Sequence, residues 1–361
     1  MGAAGAEGAP AGSGRGGPAG RKLGPADLAG RTIDIHAHLG LSIKAYAQCE
    51  YPYCQSIEGL YYRQRASGVE ASVVFPFAPD LYFDLPTLVT EGRVVPSARP
   101  VSPAPYAAEN RMVFAEVHRF RPEWSDRFLP FVSVDPARRV AEQLAALREL
   151  AAEYPIYGIK ISPVLCQSPL ASLLGEGKAF LDFAAELDLP LLLHVTVDPM
   201  EEFSQVSDAF RVIERRPGLR FCLAHCVGLS REYLERAEAA PNVWVDTSAL
   251  KIQVQAAFEG QSFMAPPGQR FDWDYSDHTV VMRRLMEKFP RTIVWGSDSP
   301  AYTYIVRRRQ GRDSWLDVQL KGTYEEEKAA LDALPAHARV LACSANSLAF
   351  LFGGAGGKRG A

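Results

Sequence analysis

The sequence predicts an α/β fold, a (β/α)8 TIM barrel, on three observations. Eight short apolar runs recur along the chain, helix-like stretches separate them, and the first run ends in histidines. The runs are continuous rather than alternating, which is how strands buried on both faces of a parallel sheet read. Eight strands alternating with helices close into a barrel. The rival, an open doubly wound sheet, usually shows a glycine-rich phosphate turn after its first strand. Here that place holds His36-Ala37-His38-Leu39-Gly40.

In chain order the runs are 32–36, 71–75, 128–134, 157–161, 191–195, 220–225, 243–246 and 292–296. Between them, the stretch 138–154 places Val140, Leu144, Leu147 and Ala151 at helical spacing, and 178–187 does the same with Phe180, Leu181, Ala184 and Leu187. Turns with Asp or Pro, such as Leu187-Asp188-Leu189-Pro190, then lead into the next strand. Three connections, 39–57, 77–107 and 250–277, exceed the about 12–15 residues beyond which loops are usually functional. They carry Tyr46, Tyr51 and Tyr53; Phe77, Tyr82, Phe83 and Tyr106; and Phe263, Phe271, Trp273 and Tyr275. These long aromatic loops are expected to wall and roof a pocket. Residues 1–27 are rich in Gly, Ala and Pro and are expected to be a disordered tail. Residues 28–361 are expected to form the barrel domain.

The 361 residues carry 39 basic and 42 acidic side chains, a formal charge of -3, which offers no electrostatic case for nucleic acid or an anionic membrane. No run approaches the roughly 18 apolar residues of a membrane span, and the start lacks the apolar stretch of a secretory signal. Six cysteines in a chain of this length, Cys49, Cys54, Cys166, Cys222, Cys226 and Cys343, do not make a disulfide framework. They are expected to be reduced thiols in a cytoplasmic protein. A small molecule is the expected partner, with a homodimer left open.

Seven histidines occur, and four of them end strand candidates: His36, His38, His194 and His225. Asp298 follows the eighth strand. Residues two apart on a strand share a side, and a barrel keeps its chemistry at the strand C-termini. One strand-end histidine is more often a packed or hydrogen-bonded residue than a ligand. Four histidines and an aspartate all meeting at one mouth form a constellation that can hold a divalent ion. His118, His278 and His337 sit in helical or loop contexts and read as structural.

The motifs Asp34-Ile35-His36-Ala37-His38, Arg127-Phe128, Val134-Asp135-Pro136, Gly158-Ile159-Lys160, Leu193-His194, Leu223-Ala224-His225, Val245-Asp246-Thr247-Ser248, Gly296-Ser297-Asp298 and Asn346 together resemble the amidohydrolase superfamily. Within it they resemble the amidohydrolase-related branch that includes aminocarboxymuconate-semialdehyde decarboxylase. The resemblance spans about Ile33 to Phe352. It implies that His36, His38, His194 and Asp298 ligate one divalent ion. Zn2+ suits that mix of imidazole and carboxylate, and an open position would hold a water. By the same resemblance His225 lies beside the water as general base, and Asp298 shares the water's proton while touching the metal. Lys160 has two readings. It could bind a substrate carboxylate as a point charge, or, carboxylated, it could bridge to a second ion. Asp246 is either a partner orienting a ligand imidazole or a strand-end turn residue. Cys222 and Cys226 flank His225 on an apolar run and read as packing. The chain departs from the branch in Ser162, Val195 and Cys226, where histidine, and then proline or glycine, are frequent.

The function expected is metal-dependent hydrolysis of a C–N or C–O bond in a small molecule. The alternative is non-oxidative decarboxylation of a small aromatic or unsaturated carboxylic acid. A non-catalytic binding barrel is disfavoured, because buried unpaired ligands are costly to keep without an ion.

Overall fold

A computed structural model of the protein describes residues 20–43, 45, 53–309 and 315–353. Nine strands form one sheet: β1 (Ile33–Leu41), β2 (Cys54–Gln55), β3 (Ala71–Pro76), β4 (Phe128–Val134), β5 (Gly158–Ile161), β6 (Leu191–Leu193), β7 (Phe221–Leu223), β8 (Val243–Asp246) and β9 (Ile293–Val294). Their order is β2-β1-β3-β4-β5-β6-β7-β8-β9, parallel throughout except for the short β2. The sheet curls until its ends meet. Ile35 N donates to Trp295 O (3.2 Å), Asp298 N to His36 O (2.8 Å) and His38 N to Ser299 O (2.8 Å). All eight expected strands are present, and helices Val140–Glu153 and Lys178–Glu186 lie where the apolar spacing puts them.

Alternation along the strands explains why the runs are continuously apolar. Leu129 and Phe131, Leu192, Cys222, Trp244 and Val294 fill the barrel interior. Their neighbours Phe128 and Val132, Leu191 and Leu193, Phe221 and Leu223, Val243 and Val245, and Ile293 face the surrounding helices in a second core. Both faces are therefore buried, as parallel strands require. Phe350 and Leu351 of the C-terminal helix Asn346–Phe352 join the interior core at the strand N-terminal end, with Leu23, Leu28 and Tyr157. Asn346 anchors that helix by donating to Pro290 O and Ile293 O, both at 2.8 Å.

Three expectations change. The described residues of the expected tail, 20–27, are ordered against the barrel: Leu23 is buried with its neighbour Leu28, Pro25–Leu28 is a helical turn, and Leu23 N donates to the Tyr157 hydroxyl at 2.6 Å. Two leucines at the right place outweigh a Gly/Pro-rich context. The connection 250–277 begins as a helix, Leu250–Glu259, whose first amides Leu250 N and Lys251 N are capped by the buried Glu327 carboxylate at 2.9 Å each. Two of its aromatics, Phe271 and Trp273, do not roof the mouth. Phe271 stacks on Trp273, and Lys288 and Phe289 pack on Phe271, at the helix end that leads into β9. An antiparallel hairpin that no pattern announced, β10 (Tyr304–Arg309) and β11 (Trp315–Leu320), follows the β9 loop. Among the described residues no helix is long and apolar enough to cross a membrane. Tyr46, Tyr51 and Cys49 lie outside the described residues; of the five described cysteines, Cys54 is exposed and the other four are buried.

Candidate metal centre

The site begins with an irregularity in β1. Register against β3 slips between Asp34 and Ala37. Before the slip, Ile33 and Ile35 face the barrel interior; after it, Ala37 and Leu39 face the outer core. The extra residue therefore turns His36 and His38 inward. A bulge leaves a backbone group unpaired, and here Asp34 takes it. Its carboxylate accepts from His36 N (3.1 Å), from Ser297 N (2.9 Å) and Oγ (2.6 Å), and from the Tyr324 hydroxyl (3.2 Å). Ser297 precedes Asp298, so one side chain sets both the β1 bulge and the β9 loop. Gly296 permits their close approach: a Cβ there would meet His36 Cβ at 2.8 Å. Gln55 of β2 fastens the same two segments by donating to His38 O (2.7 Å) and Ser299 O (3.1 Å).

These constraints deliver His36, His38 and Asp298 to one point. His36 Nε2 and His38 Nε2 lie 3.1 and 3.2 Å from the same oxygen, Asp298 Oδ1. Among the described residues they are the group whose ligand atoms all fall within 4.8 Å of one another, and all three are buried. His194 is not within that cluster. It ends β6 with Nδ1 at 2.9 Å from His225 Nε2. The His225 ring stands 5.5 Å from that of His36, with Nδ1 3.8 Å from Asp298 Oδ2. His118, His278 and His337 lie elsewhere: His118 stacks on Tyr154, His278 Nε2 bonds Glu326 O at 3.0 Å, and His337 is exposed on a helix.

Asp246 both contacts a histidine ring and sits in a strand-end turn. Its Oδ2 lies 2.8 Å from His36 Nδ1, so that nitrogen carries a proton and Nε2 is the one turned towards Asp298 and Lys160. Its Oδ1 accepts from His225 N and Ser248 N, both at 3.0 Å. The Ser248 hydroxyl lies 2.5 Å from that oxygen and 2.9 Å from His225 Nδ1. After Ala224 the chain runs through consecutive left-handed residues, His225 to Leu229, with φ between 47 and 64°. Such backbone is costly for non-glycine residues, and the His225 N bond to Asp246 helps to hold it.

Lys160 sits inside the barrel, level with Leu192, Cys222 and Trp244 through the sheet register. Its Nζ is 3.2 Å from His36 Nε2 and 4.9 Å from the centre of the Phe75 ring. Burial pulls the ammonium down to about 8. Burial also drives His38 down to about 4, and His194 and His225 below the ordinary imidazole value. At His36 burial and the Lys160 charge act downward, but Asp246 and Asp298 outweigh them and its pKa rises. At Asp246 and Asp298 burial acts upward most strongly, but the facing imidazoles, His36 foremost, together outweigh it and hold both carboxyls below the ordinary carboxylate range. Phe77 stacks on His38 with centroids 4.3 Å apart and planes 8° apart, and Tyr53 stacks on Phe77 at 5.8 Å. The 39–57 and 77–107 connections thus do wall the site. Ser248, Gln55 and Phe77 carry parts of it that strand-end reasoning does not single out, because their roles come from contacts across 17 to 39 residues of sequence.

Two neutral-capable imidazole nitrogens and a carboxylate oxygen converging in a buried space match the donor set of zinc and similar divalent ions. The residues present fit such an ion.

The family described as Amidohydrolase matches residues 33–352. A search of curated proteins finds no match. Solved structures share the fold at low identity. A 2,6-dihydroxybenzoate decarboxylase from Rhizobium is 13% identical, with TM-score 0.53 over 89% of this chain and 98% of the other. A probable 2-pyrone-4,6-dicarboxylic acid hydrolase from Acinetobacter baumannii is 13% identical, with TM-score 0.51 over 90% and 100%. A manganese-bound 5-carboxyvanillate decarboxylase from Novosphingobium aromaticivorans is 14% identical, with TM-score 0.50 over 91% and 99%.

Proposed function

The chain belongs to the amidohydrolase family, and from that premise we propose that it is a metal-dependent hydrolase that cleaves a C–N or C–O bond of a small molecule. One observation carries the reading: His36, His38 and Asp298 present two imidazole nitrogens and a carboxylate oxygen within 4.8 Å. The family uses a divalent metal, and zinc is the ion we assign from the donor set. When bound, such an ion supplies a water of lowered pKa and a Lewis acid for a carbonyl oxygen.

The protein's own groups do the rest. Asp246 holds the His36 ring so that Nε2 faces the ligand position. His194 is assigned as the fourth ligand and His225 as general base, a neutral imidazole beside the ligands that can accept a proton. Asp298 Oδ2, the oxygen nearer His225, shares that proton. Lys160 binds a substrate anion as an uncarboxylated ammonium. Two tightly bound ions per chain would replace this with the bridged, carboxylated form. The Phe77–Tyr53 stack favours a substrate with a flat portion.

A second reading, non-oxidative decarboxylation, is favoured by Lys160, a buried cation placed to receive a carboxylate next to His36. Metal-analysed protein offered aromatic carboxylates, lactones and amides separates the two. Acid or amine release supports hydrolysis, while CO2 release without it transfers the assignment to the decarboxylase reading. In either case His225→Asn is expected to keep the metal and to lower kcat by about 10²–10⁴-fold. Loss of the metal would instead place His225 among the ligands.

A further inference from the structure

We propose that Ser248 is a positioning residue which, with Asp246, fixes the proton positions of His225 and His194 in one direction and leaves His194 Nε2 bare. The starting point is the Asp246 carboxylate, an acceptor only when ionised. Ser248 has a single hydroxyl proton. The 2.5 Å contact from its Oγ to Asp246 Oδ1 uses that proton, so towards His225 Nδ1, 2.9 Å away, Ser248 Oγ can only accept. The Ser248 carbonyl also faces Nδ1, at 3.3 Å. Two acceptors therefore meet His225 Nδ1, and it carries the N–H.

A neutral imidazole has one N–H, so His225 Nε2 is then an acceptor. Its partner at 2.9 Å, His194 Nδ1, must donate. The remaining His194 nitrogen, Nε2, has a free lone pair. The chain Asp246–Ser248–His225–His194 thus runs from a fixed anion on β8 to a lone pair at the end of β6. The same Asp246 fixes His36 directly through its other oxygen, so one carboxylate governs three imidazoles. The hydrogen-bond chain stands without the metal reading; only the use of His194 Nε2 as a ligand rests on that reading.

The test is a long-range 1H–15N spectrum of the metal-free full chain, labelled on the histidine ring nitrogens and assigned by removing one histidine at a time. The expected result is His225 and His194 each protonated on Nδ1 and bare on Nε2. Ser248→Ala is expected to let His225 populate both tautomers, and Ser248→Thr to restore the single one. A wild-type His225 protonated on Nε2 alone, or a Ser248→Ala spectrum identical to wild type, overturns the proposal. If Ser248→Ala does not fold, the wild-type and Ser248→Thr spectra still decide it. Zinc competition against a chelator adds an independent readout: Ser248→Ala is expected to bind about ten- to a hundredfold more weakly. Unchanged zinc affinity with the expected tautomers would support the hydrogen-bond chain and remove His194 from the ligand set.

Discussion

At the scale of single residues, the centre depends on side chains that hold ligands rather than on ligands alone. Asp246 uses one oxygen for His36 and the other for His225 N and Ser248. Asparagine in its place keeps one acceptor and turns the other into a donor, so one of these contacts is lost. Asp246→Asn is expected to weaken zinc binding by about ten- to a hundredfold with an unchanged circular dichroism spectrum; wild-type affinity in chelator competition would deny the orienting role. Away from the site, Glu109 accepts from Leu81 N at 3.0 Å with one oxygen, while the other is buried without a partner. Burial pushes its carboxyl from an ordinary 4.5 up to about 7. A folded pKa above the unfolded one means the stabilisation is complete below about 4.5 and is lost as pH rises through about 7. Urea midpoints are expected to fall across that window by an amount equivalent to about 3 kcal/mol. Glu109→Gln should flatten that part of the profile, and an unaltered slope would show that another group is responsible.

At the scale of elements, the decisive feature is the irregularity in β1. A regular strand with Ile33 and Ile35 inward would have put His36 and His38 on the helix side. Asp34 stabilises the slip by accepting the His36 amide and by gripping Ser297 on the neighbouring loop. Asp34→Ala leaves these buried donors without their acceptor, which is expected to cost about 2–4 kcal/mol in a denaturant titration. Zinc binding should fall with it, because both the bulge and the Asp298 loop lose their shared anchor. A variant as stable as wild type with full zinc affinity would show that the slip is held by the ladder alone.

At the scale of the whole molecule, the two ends of the barrel are built from different residues. The His36, His38 and Asp298 cluster lies at the strand C-termini, whereas Leu23, Leu28, Phe350 and Leu351 close the opposite end. Leu28→Ala is expected to lower stability by about 3 kcal/mol while leaving the proposed metal binding at the wild-type level; loss of the metal as well would show that the two ends are coupled. The eight strands, their parallel arrangement and the convergence of His36, His38 and Asp298 were legible from residue order, because continuous apolar runs report burial on both faces and a closed barrel must bring its first and last strands together. Lys160 and Asp246 were legible as candidates for the same reason, since both end strands. What only the tertiary structure decided was the one-residue slip by which the histidines turn inward, the position of His194 against His225 rather than in the three-residue cluster, the Ser248 contact, and the packing of Phe271 and Trp273 away from the mouth. Periodicity records which face of an element is buried. It carries no record of a one-residue slip, of which nitrogen bears a proton, or of where a long loop comes back to the barrel, because those are settled by hydrogen bonds and packing between residues far apart in the chain.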